Sequence, residues 1–153
     1  MRNVLAAFAV ALLTAGTAIA ATADTTAVLA PIHQFIDGLN KGDVDSALAA
    51  CAEQTSIIDD FAPHEWHGAG ACGKWATDFQ ANATANAITD EVLAMAGKPL
   101  HVAVTGDRAY VVVPASYTYK LKGKPVKESA LMTLALQKVA AGWRITGWTY
   151  SKK

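Results

Sequence analysis

The segment Ala109-Tyr110-Val111-Val112-Val113-Pro114-Ala115-Ser116-Tyr117-Thr118-Tyr119-Lys120-Leu121 decides how this chain folds. It is long and alternating: Tyr117 and Tyr119 share one face, Thr118 and Lys120 the other, and a period of two marks a strand. Lys122-Gly123-Lys124-Pro125 follows as a hairpin turn, and Val126 to Val139 returns as the next strand. Ala140-Ala141-Gly142 turns the chain again before Trp143 to Tyr150 closes it. Upstream, Val92 to Met95 begins a strand and Pro99 to Val104 continues or restarts one, with Thr105-Gly106-Asp107 as a turn. Trp143 and Trp148 are five apart, so a regular strand cannot face both inward unless Gly147 marks a bulge.

Before residue 89 the period is helical. Val28, Leu29, Ile32, Phe35, Ile36 and Leu39 form one apolar stripe, and Pro31 predicts a start for the regular part near itself. Asn40-Lys41-Gly42 supplies a stop and Asp43 an N-cap. A second helix carries Val44, Ala47, Leu48 and Cys51 and is expected to end near Glu53. Thr55 to Asp59 reads as a short strand, and Ala69 to about Ala87 as a third helix with Trp75 and Phe79 on one side. Helices first and antiparallel strands after them predict an α+β fold, three N-terminal helices packed on a strongly curved antiparallel sheet. Such a cone leaves a cavity open at one end.

Between the short strand and the third helix lies Asp59-Asp60-Phe61-Ala62-Pro63-His64-Glu65-Trp66-His67-Gly68. Polar groups gathered in a connection mark the mouth of a site. Asp59 and Asp60 are adjacent on extended chain, so one is expected to face the cavity and the other the solvent.

The first residues read as a secretory signal peptide over 1–23. Arg2 gives the positive start, Val4 to Leu13 the apolar run, and the small residues a cleavage after Ala20 or Ala23. The apolar run is shorter than the roughly 20 residues of a spanning helix, which disfavours an uncleaved anchor. The remaining domain, 24–153, is about 130 residues, one domain able to bury a core. A periplasmic or secreted location follows, with no membrane association after cleavage. Lysine plus arginine and aspartate plus glutamate are balanced at 13 each, so charge names no nucleic acid partner. In an oxidising compartment Cys51 and Cys72 are expected to pair, closing a loop of about 20 residues for roughly 3 kcal/mol. The alternative is two small buried residues on neighbouring helices.

The turn Leu39-Asn40-Lys41-Gly42-Asp43, the strand Ile57-Ile58-Asp59, the loop Pro63-His64-Glu65-Trp66-His67-Gly68 and the closing Gly142-Trp143-Arg144-Ile145 together resemble the nuclear transport factor 2-like superfamily. That superfamily includes SnoaL-like cyclases and ketosteroid isomerases, and the resemblance covers roughly 29–151. It implies a cone-shaped fold that hosts enzymes, carriers and interaction modules alike, and pairing through the sheet into a homodimer. Compared with the isomerases, Asp59, nine residues before Gly68, occupies the position of the proton-abstracting base. Their two oxyanion donors, a tyrosine and a protonated acid, fall here on Phe35 and on or beside Leu134. Neither donates a hydrogen bond, and an oxyanion donor contributes about 3 kcal/mol, so the isomerase reaction is not expected.

Asp59, with His64 or His67 as a proton shuttle, therefore forms the catalytic candidate set; the plainer reading of Asp59 is a strand-end carboxylate accepting loop N–H groups. Phe35, Trp66, Trp75, Tyr117, Tyr119 and Trp148 are the large side chains expected to line a cavity for a small apolar or aromatic ligand, or to be plain core. His64 to His67 lacks the spacing that puts two zinc-binding histidines one helical turn apart, so no metal is expected. No phosphate-cradling glycine loop or nucleophile elbow calls for a cofactor. An enzyme, a carrier and a dimeric interaction module all fit these residues.

Overall fold

A computed structural model describes residues 15–153, with side chains from residue 24 onward. The apolar run of the expected signal peptide lies outside the described residues. The elements are α1 (Ala15–Lys41), α2 (Val44–Ala49), β1 (Cys51–Ile58), β2 (Glu65–Ala69), α3 (Ala71–Ala85), β3 (Ile88–Met95), β4 (His101–Thr105), β5 (Arg108–Leu121), β6 (Lys124–Val139) and β7 (Gly142–Lys152). They build one curved, open sheet in the order β2-β1-β7-β6-β5-β3, with β4 beside the other half of β5. Helices cover its concave face.

The β5–β6 hairpin is the spine of this sheet. Its two-residue turn, Lys122-Gly123, has positive φ at both positions, 51° and 80°, the geometry whose twist matches paired strands. Fourteen residue pairs follow in unbroken register from Leu121–Lys124 to Arg108–Gln137. Val111 and Val113 of β5 and Leu134 and Leu136 of β6 are consequently buried on the concave side. Against them pack Val28, Ile32 and Phe35 of α1, the stripe the sequence announces.

Local chemistry sets how α1 ends. Gly42 takes φ +70°, and the Asp43 carboxylate accepts the Ser46 N–H at 3.0 Å as N-cap of α2. Asn40 pins the helix end to the sheet edge, donating to the Leu93 carbonyl at 2.7 Å and accepting the Leu93 N–H at 2.9 Å. Gly38 lets α2 approach closely, since a Cβ there would lie 2.6 Å from the Ala47 nitrogen.

Several expectations need correction. Pro31 is inside α1 rather than at its start; the helix runs through it because only one N–H is lost. α2 stops at Ala49, not near Glu53, and Cys51 opens β1 instead of ending a helix. The cause is tertiary: the Ile145 N–H bonds the Ala50 carbonyl at 2.9 Å, drawing the chain into the sheet. β1 lies parallel to β7, with Ile57 opposite Trp148, so the sheet is mixed. The long excursion between them supplies the crossover that a parallel pair requires. The third helix is preceded by β1 and β2, so the helices are not consecutive. The end of the polar stretch, from Glu65 to Gly68, belongs to β2, antiparallel to β1 with Trp66 opposite Ile57. Its alternation buries Trp66 and exposes Glu65 and His67.

The bulge that burial of both tryptophans would require is present, beside Gly147. β6 and β7 shift register between Ala135–Gly147 and Leu136–Ile145, leaving Thr146 as the extra residue. Trp143 and Trp148 are both buried as a result. A disulfide joins Cys51 to Cys72, tying the start of β1 to the first turn of α3.

Candidate functional site

α1, α3 and the concave face of the sheet enclose a cavity of about 820 Å³. Eight of the chain's twelve aromatic residues line it: Phe35, Phe61, Trp75, Phe79, Tyr117, Tyr119, Trp148 and Tyr150. The rings brace one another. Trp75 stacks on Phe79 at 5.1 Å and meets Trp148 edge-on at 5.1 Å, while Phe35 packs on Trp148 at 4.9 Å. Such pairs contribute about 0.5–1.5 kcal/mol each beyond their burial, which holds the wall in shape.

Asp59 follows directly on β1 and is only 9% exposed. Its carboxylate accepts the Trp75 indole N–H at 2.9 Å and the Asp60 backbone N–H at 2.8 Å. Burial pushes its carboxyl up to about 6, and the two hydrogen bonds offset part of that rise. The carboxyl thus lies buried at the edge of an aromatic cavity.

The alternation of β1 runs on past its end, with Asp59 buried and Asp60 exposed at the cavity rim. There it pairs with Lys152 at 2.5 Å, and Lys152 reaches Glu128 at 3.0 Å. Burial works against the charge on Lys152, but its hydrogen bonds to both carboxylates win and hold its ammonium above the usual lysine range. The Tyr119 hydroxyl donates to Glu128 at 2.7 Å, and the Tyr117 hydroxyl donates to Glu91. Burial, followed by the Glu91 contact, pushes the Tyr117 hydroxyl well above its ordinary value. The Tyr150 hydroxyl is buried with no hydrogen-bond partner among the described residues.

Of the residues singled out from sequence, Asp59, Phe35, Trp75, Tyr117, Tyr119 and Trp148 meet around this cavity. Trp66 does not line it. It sits one layer out, bonding Asp78 at 2.8 Å and packing on Phe61 at 5.1 Å. His64 and His67 are exposed and do not line the cavity. His64 takes φ 74° in the turn after β1, its Nδ1 3.2 Å from the Asp59 carbonyl rather than from the carboxylate. His67 points to the outside of β2, 3.4 Å from Glu65. Sequence reasoning missed Glu91, Glu128, Tyr150 and Lys152. For Glu128 a signal existed: counting back from the Lys122-Gly123 turn sets it opposite Tyr117.

A family model described as a SnoaL-like domain matches residues 28–152. No curated protein matches the sequence significantly. Solved structures do match. A nuclear transport factor 2-like protein from Salmonella enterica superposes with TM-score 0.71 at 17% identity, covering 86% of this chain and 92% of that one. The hexachlorocyclohexane dehydrochlorinase LinA-type3 from Novosphingobium barchaimii gives TM-score 0.72 at 12% identity, covering 89% and 90%. The CaMKII hub of S. rosetta gives 0.68 at 21%, covering 84% and 95%. At these identities the likeness concerns the fold, which is that of the nuclear transport factor 2-like superfamily.

Proposed function

This chain belongs to the SnoaL-like domain family, and from that premise we propose that it binds a small apolar or aromatic molecule between sheet and helices. The observation that carries the reading is the cavity itself: about 820 Å³, walled by braced aromatic rings, with Asp59 at its polar end. That volume lies within the roughly 300–1,000 Å³ of small-molecule sites. Ligands with one to three fused aromatic rings are expected to quench tryptophan fluorescence, because Trp75 and Trp148 form the wall. They are also expected to raise the melting temperature. A panel of such ligands that produced neither effect would refute the proposal.

A second reading, favoured by the burial that raises the pKa of Asp59 at the cavity edge, is an isomerase, cyclase or hydratase with Asp59 as general base. Enolisation by the ketosteroid isomerase donor pair is not part of it, since Phe35 and Leu134 are both buried apolar residues. The similar hexachlorocyclohexane dehydrochlorinase is an enzyme on the same fold, in keeping with proton abstraction here. His64 and His67 would serve such a reaction only by moving.

The reading extends to the whole chain. Residues 1–23 act as the export signal and 24–153 as the mature domain, periplasmic or secreted. The disulfide is compatible with that, and no described helix is long and apolar enough to cross a membrane. We also propose a homodimer through the convex face of the sheet, where Val112, Pro114, Leu131, Thr133 and Thr149 lie only partly covered. Native mass spectrometry of the exported protein is expected to give twice the mass of a chain beginning at Ala21 or Asp24. A monomer at high concentration contradicts the dimer, and an intact leader contradicts the export signal.

A further inference from the structure

We propose that the cavity's ligand is an organic cation, an aromatic or short apolar body carrying one protonated amine; this rests on the ligand-binding reading above. The first observation is charge. Asp59, Asp60, Glu91 and Glu128 all line the cavity, and Lys152 is the one basic residue among its described lining residues. The chain as a whole is neutral, so this negative excess is concentrated rather than average. Lys152 is already engaged by Asp60 and Glu128, leaving Asp59 and Glu91 without a cationic partner at hydrogen-bond distance. Acidic groups with low-dielectric aromatic walls focus a field that favours a positive ligand.

The second observation is how Glu91 gets there. β3 and β5 shift register between Thr89–Lys120 and Val92–Thr118, so Asp90 and Glu91 together oppose Tyr119. Asp90 takes φ 57°, a left-handed conformation unusual for a non-glycine residue. Bulges of this kind re-aim side chains. Here the Asp90 carboxylate pairs with Lys120 at 2.7 Å, away from the cavity, and Glu91 accepts the Tyr117 hydroxyl at its wall.

The third is the hydrogen-bond inventory at that wall. The Tyr117 and Tyr119 hydroxyls are both committed as donors to carboxylates. What remains open is acceptor capacity: an ionised carboxylate has about four lone-pair sites and no proton to give. An ammonium group supplies the missing donors. The ring of Tyr117, whose hydroxyl meets Glu91, lies 4.8 Å from that of Tyr119 and 5.9 Å from that of Phe79, and all three line the cavity. Their faces attract a desolvated cation further.

Three probes of one shape test this: 1-naphthylmethylammonium, 1-naphthylmethanol and 1-naphthoate, titrated calorimetrically into the whole protein at neutral pH and low salt. The ammonium is expected to bind at least about tenfold tighter than the alcohol, and the carboxylate more weakly than either, with salt weakening only the ammonium. In Glu91→Gln the ammonium-to-alcohol ratio is expected to collapse by roughly tenfold. If the alcohol binds as tightly as the ammonium in the unaltered protein, the cation proposal is overturned and the cavity reading stands. If no probe binds, both fall together.

Discussion

Asp59→Asn is expected to stabilise the folded protein above about pH 6, which is unusual for a substitution at a buried, hydrogen-bonded residue. The sign follows from linkage. Burial raises the carboxyl from 3.8 to about 6, so the folded state holds a proton that the unfolded state releases. The stabilising contribution is complete below 3.8 and is lost as pH rises through 6. Above that, the charged carboxylate costs on the order of 2–3 kcal/mol relative to the unfolded chain. Asparagine keeps the shape and carries no charge to desolvate, but its single oxygen accepts only one of the Trp75 and Asp60 N–H groups, which trims the gain. At about pH 8 the variant should melt roughly 5 °C higher, with the gain gone near pH 4. Thermal unfolding followed by circular dichroism at the two pH values checks this. A variant less stable at the higher pH would show that the carboxylate is a structural acceptor. If Asp59 is a base, the same variant loses turnover and keeps ligand binding, a trade of stability against activity.

The other large effect is expected at Gly147. A Cβ there would lie 2.5 Å from the Ser56 carbonyl oxygen, and that oxygen belongs to a backbone fixed by the β1–β7 pairing. Neither strand can yield, because β7 is paired on its other side to β6. Gly147→Val should therefore destabilise by about 3 kcal/mol, at the upper end for overpacking. The urea midpoint should fall accordingly. Gly147 is also part of the bulge that turns Trp148 into the cavity, so ligand quenching should weaken in whatever folded protein remains. An unchanged midpoint would mean the two strands separate there freely, and the mixed sheet described above would be wrong.

How much of this could be read from sequence depends on how local each signal is. The β5–β6 hairpin was legible from the Gly-bearing turn, but the turn was taken as Lys122 to Pro125, whereas Lys124 and Pro125 already pair with Leu121 and Lys120. The bulge was legible only as a condition, since two tryptophans five apart need one if both are to be buried. β2 was misread as loop because Trp66 is its one buried residue, too little alternation to register. The end of α2 was misplaced because Cys51 continues the helical spacing, while the hydrogen bond that ends the helix comes from Ile145. Nothing in Cys51–Ile58 says that its neighbour is β7 or that the pair is parallel. The site divides the same way. Asp59 and the ring-bearing positions stand out because acids at strand ends and clustered aromatics are rare. Glu91, Glu128 and Lys152 look like charges on solvated strand faces, and only sheet curvature and the Asp90 bulge bring them to one rim.

The most direct measurement is the titration of the Asp59 carboxyl carbon by NMR, in the free protein and with a bound aromatic ligand. A midpoint near 6 that moves when ligand binds is the predicted result. A midpoint near the 3.8 of a solvated aspartate, unchanged by ligand, would contradict the claim that this acid sits in a dry, ligand-holding cavity.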